Sequence, residues 1–291
     1  MSAAPAATLI RVRPAATPAW DPSITWAGTM PQARFPGARR EPGGVVRVLR
    51  EDPDLLRDVG DATAHAAREA AIAPALTLSP GAWRPPRDPE RFSRHLGLLL
   101  LSGLIMRTIE LAGAESPELI GAGDLIRPWD DHEGEVASVA FASVFTVLTP
   151  VRFAVLDEAF CRTICRWPTV VSALVGRTVQ RTRWNSVHLA LSRLQRIDSR
   201  LLLLLWHLAD RWGRVRRDGV ELPVRLTHAQ LAKLVGAQRP SVTVALRGLA
   251  ESGRVVRAPG GGWLLTGGPP EEAMRLAGRR DRPALLASAG D

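Results

Sequence analysis

The chain has 291 residues and a formal net charge of +9, with 46% hydrophobic and 23% charged residues. These values are ordinary for a soluble protein with room for two domains. The two cysteines, Cys161 and Cys165, are too few for a disulfide framework or an all-cysteine metal site. No apolar run approaches the roughly 18–20 residues that span a bilayer, and the N-terminus lacks the order of a signal peptide. We therefore expect a cytoplasmic protein without a membrane partner.

The positive charge lies in the second part of the chain. Residues 176–291 hold 20 basic and 9 acidic residues, whereas residues 1–175 hold 18 basic and 20 acidic ones. The total charge is weak evidence, because abundant Arg, Ala, Gly and Pro with Lys233 as the only lysine are typical of GC-rich coding. The asymmetry is better evidence, and it favours a polyphosphate partner for the second part.

The first part of the chain predicts a tail followed by a β-rich domain. Residues 1–44 are rich in proline and alanine without a hydrophobic period, which predicts a disordered tail. Short helices are predicted at 51–59 and 65–72. From 74 to 156 short apolar runs alternate with Gly and Pro breaks, which is typical of a β-sandwich or barrel. We place this domain at residues 45–168.

Three helices are predicted next. The first, 157–167, carries Cys161 and Cys165 four residues apart on one face, which favours a structural role over a redox or ligand role. The second, 169–198, has an apolar seam interrupted by a polar stretch, so a dimer helix and an ordinary core helix both remain open. The third, Arg200 to Trp212, is apolar on most sides, which predicts burial.

The strongest pattern lies at residues 226–257, where two short helices joined by a turn are predicted. Thr227 and Gln230 form a capping-box pattern, so a helix should begin at the residue after Thr227. Gly236 suits the left-handed residue that ends a helix. Pro240 is tolerated only in a first turn, so a second helix should begin just before it. In that helix the residues Val242, Ala245, Leu246 and Leu249 form a buried stripe.

Flanking strands extend this pattern to a winged helix. A short strand is predicted at 222–226, and a β-hairpin is predicted from 254–257, Pro-Gly-Gly-Gly at 259–262 and 263–265. The two helices alone are also compatible with a helical hairpin inside another α domain, and the strands weigh against that alternative. We assign the winged helix-turn-helix to residues 199–267 and a mobile tail to 268–291.

A helix-turn-helix places the start of its second helix in the DNA major groove. Arginine there can hold guanine O6 and N7 with two hydrogen bonds, Ser and Thr hydroxyls suit phosphates, and an outward valine suits a thymine methyl. The residues expected to face DNA are Thr227, Gln238, Arg239, Pro240, Ser241, Thr243, Val244, Arg247, Arg254 and Arg257.

The segment LTHAQLAKLVGAQRPSVTVALRGLAESGRVVR, residues 226–257, resembles the DNA-binding segment of the Crp/Fnr transcriptional regulators. In that resemblance Arg239 falls on the base-reading arginine and Ser241 on a hydroxyl position. Pro240 and Val244 depart from it, because the cyclic AMP receptor protein has Glu and a second Arg at those positions. The resemblance implies an α+β fold with an N-terminal β-roll of the cyclic-nucleotide-binding jelly-roll type, a dimerisation helix at 169–198 and a C-terminal winged helix-turn-helix.

The segment ELIGAGDLIRPW, residues 118–129, resembles the turn before the nucleotide pocket of such sensors, and Leu96 to Arg107 resembles their central hairpin. The resemblance gives four candidate effector-binding residues, Gly123, Asp124, Arg127 and Glu135. Cyclic-nucleotide sensors hold the ribose with a Glu in Gly-Glu-Leu and grip the phosphate with an Arg. Here Gly134-Glu135 matches only in part and no Arg follows before Arg152. Because Arg127 is flanked by acidic residues, we expect no cyclic nucleotide, and either a different effector or none. No cofactor is expected.

No catalytic motif is present, neither Gly-x-Ser-x-Gly nor a P-loop, dinucleotide fingerprint or His-Glu-x-x-His, so we expect no enzyme. Residues 130–133, Asp-Asp-His-Glu, are predicted to form a solvated loop without a metal, because adjacent residues seldom converge on one ion.

We expect a homodimeric, sequence-specific transcription regulator that binds a palindromic operator in double-stranded DNA. The resemblance adds RNA polymerase as a partner. Two alternatives stay open. One is a ligand- or protein-binding module whose winged helix contacts protein, and the other is a true cyclic-nucleotide-responsive regulator.

Overall fold

The computed structural model describes residues 40–86, 92–130 and 139–270, all of which belong to one compact unit. The predicted tails lie mainly outside the described residues. The boundary at residue 45 is wrong, because the first strand already begins at Arg40. No helix among the described residues is long and apolar enough to cross a membrane.

The first half of the described chain, called here the sheet region (residues 40–167), is an antiparallel sheet with short helices. Its strands follow the order β1-β2-β7-β4-β5, with β3 paired to β7 and β6 paired to β4. The bounds are β1 Arg40–Arg47, β2 Ile72–Leu78, β3 Gly81–Trp83, β4 Gly97–Leu111, β5 Ala114–Gly121, β6 Leu125–Ile126 and β7 Ala142–Leu156. The β-rich character predicted from the Gly and Pro breaks is confirmed.

The predicted hairpin from Leu96 to Arg107 is wrong, since all of this segment except Leu96 lies within the single strand β4. The pairing of β4 with β7 shifts register between Leu100 and Leu104, around Gly103. Gly103 has a φ of +95°, and a Cβ there would lie 2.3 Å from the carbonyl oxygen of Pro150. The glycine therefore marks a bulge that bends a continuous strand, not a turn that ends one.

Short helices cover one end of the sheet. They are α1 Val48–Glu51, a 3-10 turn at Pro53–Leu56, α2 Asp61–Ala70 and α3 Glu158–Ile164. The helices predicted at 51–59 and 65–72 are thus displaced toward the N-terminus. Small side chains such as Ala64 and Ala67 let α2 pack closely on the sheet, with Leu99 and Leu156 in the same buried cluster.

Two long helices follow, α4 Pro168–Ser192 and α5 Ile197–Trp212. The predicted end of the first helix at residue 198 is wrong, because α4 ends six residues earlier and α5 begins at Ile197. Pro168 begins α4, which is consistent with the preference of proline for a first helical turn. As predicted, α5 is buried, and its apolar side Leu201, Leu205 and Leu208 is at most 2% exposed.

The C-terminal part, residues 197–266, is a winged helix. It contains α5, the hairpin β8 Arg214–Arg216 and β9 Gly219–Leu222, the helices α6 His228–Val235 and α7 Arg239–Glu251, and the hairpin β10 Val255–Arg257 and β11 Trp263–Leu265. The four strands form one sheet in the order β10-β11-β9-β8. The strand predicted at 222–226 is wrong, since β9 ends at Leu222 and the chain then runs without regular structure to Thr227.

The winged helix and the sheet region share one hydrophobic cluster. Leu104, Met106 and Leu119 of β4 and β5 pack with the leucines of α5 and α6. Above this cluster Trp212 lies against Gly121, where a Cβ would come within 2.3 Å of the indole ring. The winged helix is therefore packed on the β4–β5 hairpin by apolar burial, not merely tethered to it.

Ion pairs surround this contact. The carboxylate of Asp124, 2% exposed, accepts from the Arg211 guanidinium at 2.6 Å and from the backbone N–H of Gly121 at 2.8 Å. Lys233 of α6 lies 2.7 Å from Glu115 of β5. Because the Asp124 pair is almost dry and the Lys233 pair is partly exposed, the Asp124 pair is the more consequential of the two.

His207 gives this packing a pH dependence. Its ring stacks on Trp184 of α4 with centroids 3.6 Å apart, and burial lowers its pKa to about 4. In the unfolded chain the pKa is about 6.5, so between these values the unfolded state binds more protons. Stability should therefore fall as pH falls, by about 2 kcal/mol between pH 7 and pH 5.

Urea unfolding of the protein at pH 7, 6 and 5 measures this loss. His207→Gln, which cannot be protonated, should flatten the profile. Ser186→Ala, an exposed position on the same helix α4 that carries no titratable group, is the control and should leave the slope in place. An unchanged slope in His207→Gln would contradict the assignment.

Candidate nucleic-acid interface

The first helix of the helix-turn-helix, α6, begins and ends as the sequence predicts. The Thr227 hydroxyl accepts from the backbone N–H of Gln230 at 3.2 Å, and the Gln230 side chain accepts from the backbone N–H of Thr227 at 2.8 Å. Gly236 ends the helix in the left-handed conformation with φ +60°. This reciprocal cap satisfies two N–H groups that a helix start leaves unpaired, so α6 and the turn after it are well defined.

The second helix, α7, has Gln238 as its N-cap and Arg239 and Pro240 as its first two residues. Proline costs little there because the first N–H groups of a helix have no partner within the helix. Val242, Leu246 and Leu249 are buried, which fixes the rotation of α7 on its neighbours. Gln238, Arg239, Pro240, Val244 and Arg247 are exposed and Ser241 is half-buried. The predicted division of α7 into a buried stripe and an outward face is therefore present.

Two of the predicted DNA-facing hydroxyls have partners within the protein. The Thr227 hydroxyl accepts in the cap of α6. The Thr243 hydroxyl donates to the carbonyl of Arg239 at 3.0 Å and pairs with Nδ1 of His228 at 2.9 Å. The hydroxyl has one proton, which goes to that carbonyl or to the His228 ring, according to the tautomer of the ring. Thr243 thus joins α6 to α7 and has no proton left for a phosphate oxygen.

Two arginines bond the backbone carbonyls of the wing, residues 258–262. The Arg257 guanidinium lies 3.7 Å from the Trp263 ring centroid and donates to the carbonyl of Gly261. The Arg225 side chain donates to the carbonyl of Gly260 at 2.8 Å. Arg225 was missed in the sequence because it stands between a strand and a helix cap, far along the chain from the wing. Arg254 is half-buried and lines a cleft beside α7.

Of the effector candidates, Gly123 and Asp124 line one cleft of about 810 Å³, whereas Arg127 is not among the residues that line it. Asp124 is paired with Arg211. Gly123 has a φ of +88°, and a Cβ added to it would lie 3.1 Å from Nη1 of Arg177. Arg127 pairs with the Asp130 carboxylate and donates to the backbone carbonyl of His95. Glu135 lies outside the described residues. Within the described ranges, then, the three placed candidates are engaged with other groups of the chain.

A buried tryptophan follows the Gly-Asp turn in the chain. Pro128–Asp130 form a short 3-10 helix, and its Trp129 is 1% exposed. The indole stacks on Phe92 with centroids 4.8 Å apart, and the Arg127 guanidinium lies 5.6 Å from its ring centroid. This buried aromatic side chain is a feature that sequence reasoning did not use.

No group of three or more His, Cys, Asp or Glu side chains that could hold a metal ion occurs among the described residues. Residues 131–133 of the acidic loop lie outside them. Cys161 is half-buried on α3 and Cys165 is exposed, and both are free thiols. Burial raises the pKa of the Cys161 thiol, which is the direction of a less reactive cysteine.

Comparison with known proteins supports these assignments. Residues 199–265 match the family model of the Crp-like helix-turn-helix domain. No curated protein matches the chain in sequence. The chain therefore carries a Crp-like helix-turn-helix domain, as the resemblance of residues 226–257 predicted.

Several solved structures have a similar fold. A cyclic nucleotide-binding domain containing protein from Listeria monocytogenes gives a TM-score of 0.52 at 14% identity, covering 65% of this chain and 87% of that one. A CooA mutant from Carboxydothermus hydrogenoformans gives 0.51 at 16% identity, covering 70% and 86%. FixK2 from Bradyrhizobium japonicum gives 0.50 at 13% identity, covering 73% and 99%. These likenesses establish the fold, and the predicted α+β arrangement of an N-terminal antiparallel sheet and a C-terminal winged helix is confirmed.

Proposed function

We propose that this protein is a transcription regulator of the Crp/Fnr type that binds a palindromic DNA operator as a homodimer without a cyclic nucleotide. The observation that carries the proposal is the outward face of α7. Its first residues are exposed and include Arg239, and Arg247 follows two turns later. Beside it stands the wing, whose backbone carbonyls are bonded by Arg225 and Arg257. This is the arrangement by which a helix-turn-helix enters the major groove and holds phosphates on either side.

The dimer is supported by the free side of α4. This helix has 25 residues, and Val175, Val179 and Val187 on it are between 47% and 56% exposed. Apolar side chains repeated along a long helix favour pairing with a second copy of the same helix. Two recognition helices related by a two-fold axis require half-sites about one helical turn apart, ~34 Å. A dimer bound beside a promoter would meet RNA polymerase, the remaining partner that the resemblance implies.

The absence of a nucleotide response is supported by Trp129 and Arg127. The indole is buried against Phe92 in the segment that follows the Gly-Asp turn, and Arg127, the arginine of that segment, is paired with the Asp130 carboxylate. A cyclic phosphate held by Arg127 would have to displace that carboxylate. We expect 1 mM cyclic AMP or cyclic GMP to leave both the thermal unfolding temperature and DNA affinity unchanged.

Salt dependence tests the proposal against its alternative, a module whose winged helix binds protein. Binding of a labelled duplex should weaken by roughly 10³–10⁵-fold between 50 and 200 mM salt if six to ten phosphates are contacted. If the affinity for the duplex does not change with salt, DNA binding through phosphate contacts is contradicted. Arg247→Ala should lower the salt slope by about one phosphate contact, whereas Arg162→Ala on the distant helix α3 should not change it.

A further inference from the structure

The centre of the outward face of α7 is apolar. Pro240, Val244 and Gly248 lie four residues apart along the helix, opposite the buried stripe of Val242, Leu246 and Leu249, and all three are exposed. Residues at this spacing share one side of a helix. They form a low ridge, and Arg247 lies next to it. Glu251 stands at its far end.

Packing within the fold explains neither the exposure of Val244 nor the presence of glycine at position 248. Val244 is 68% exposed, more than any other large hydrophobic side chain of the described residues except Val45. Gly248 sits inside a helix with an ordinary φ, and a Cβ there would meet no atom within 4 Å. Alanine would therefore fit and would favour the helix. Residues that break local rules without a structural reason point to a function.

The surroundings of the ridge favour nucleic acid as its occupant. Arg239 and Arg247 flank it, and Arg254 stands in the adjoining cleft of about 860 Å³, which Ser241, Val244 and Gly248 also line. The carboxylate of Asp198 in the same cleft is paired with Arg196 at 2.7 Å. The exposed charge around the apolar ridge is therefore mainly positive, which complements a phosphate backbone on both sides of a groove.

We propose that this ridge reads the methyl group of a thymine in each half-site. Val244 packs on the methyl, and Pro240 and Gly248, with little side-chain height, let the helix approach the base edges. Apolar contact with the thymine methyl is a direct readout that separates thymine from cytosine in the major groove. The inference rests on the proposed function and adds the kind of base pair that the recognition helix reads.

The position of the thymine follows from the helix. Val244 lies five residues beyond Arg239, which is about 7.5 Å along the axis. Successive bases of one strand are about 3.4 Å apart, so a guanine held by Arg239 and the thymine should be about two base pairs apart. Thr243 contributes no hydroxyl proton between them, because its hydroxyl is bonded to the Arg239 carbonyl and to the His228 ring.

Thymine-to-uracil replacement tests the proposal, since it removes only the methyl group. Each thymine of the selected operator is replaced in both half-sites, and affinity is measured by fluorescence anisotropy at fixed salt. At one position the replacement should lower operator affinity about fourfold per half-site, or about fifteenfold when both half-sites are changed. Val244→Ala should bind the thymine operator more weakly and respond less than twofold to the replacement. Val215→Ala removes an exposed valine on β8 and should keep the wild-type response.

Gly248→Ala gives a second, independent readout. The variant should unfold at a higher temperature because alanine favours the helix. It should nevertheless bind the operator more than tenfold more weakly, because the added methyl holds the helix off the bases. Uracil operators that bind like thymine operators, or a Val244→Ala protein as sensitive as the wild type, would overturn the inference and leave the proposed function intact. Wild-type protein that binds no DNA would overturn both.

Discussion

Replacing Arg239 by alanine should erase the base preference at one position of each operator half-site. Arg239 is exposed at the first position of α7, and no acceptor among the described residues holds its guanidinium. Two hydrogen bonds from arginine to guanine contribute about 1–3 kcal/mol of discrimination. We expect a roughly 10–100-fold loss of operator affinity per half-site, with a much smaller loss on random DNA.

The measurement is a titration of operator and of operators with each base substituted in turn. Arg247→Ala is the matched control, because this exposed arginine lies two turns further along α7 and should behave as a phosphate contact. The Arg247→Ala variant should lose a similar factor of affinity on every DNA sequence. If Arg239→Ala also loses affinity evenly and keeps its preference for guanine, Arg239 is a phosphate contact and the orientation of α7 in the groove is wrong.

Replacing Asp124 by alanine should destabilise the protein by about 3–5 kcal/mol, because it leaves a buried arginine without its partner. Arg211 is 15% exposed and its guanidinium lies over the rings of both Trp184 and Trp212. The backbone N–H of Gly121 would lose its acceptor as well. Urea unfolding at pH 7 measures the change.

The matched control is Arg162→Ala, which breaks an exposed i,i+4 pair with Glu158 and should cost about 0.5 kcal/mol or less. The double variant Asp124→Leu with Arg211→Met should recover much of the loss, since it removes both charges and keeps apolar volume. A cost below about 1 kcal/mol for Asp124→Ala would mean that the winged helix is not packed on the sheet region in solution.

The winged helix could be predicted closely because its signals are local. Thr227, Gln230, Gly236 and Pro240 each act on backbone groups within four residues, so a reader of the sequence can place both ends of α6 and the start of α7. The structure agrees with these positions. The buried stripe of α7 follows from spacing alone for the same reason.

What the sequence missed depends on residues far apart in the chain. Nothing near Asp124 indicates that its partner is Arg211, and the likeness to a nucleotide-pocket turn suggested an effector role instead. Arg225 reaches the wing across 35 residues. The hairpin wrongly predicted within β4 has a different cause. Glycine is favoured both in a bulge within a strand and in a turn between strands, so the sequence does not distinguish the two.

The most direct test of the account is a binding selection from a random DNA library with purified protein at fixed salt, repeated with cyclic AMP and with cyclic GMP. We predict one palindromic motif whose half-sites are about one helical turn apart, unchanged by either nucleotide. A motif that appears only with a nucleotide would contradict the reading of the Trp129 site. Recovery of no motif under any of the three conditions would contradict the proposal that α7 reads DNA.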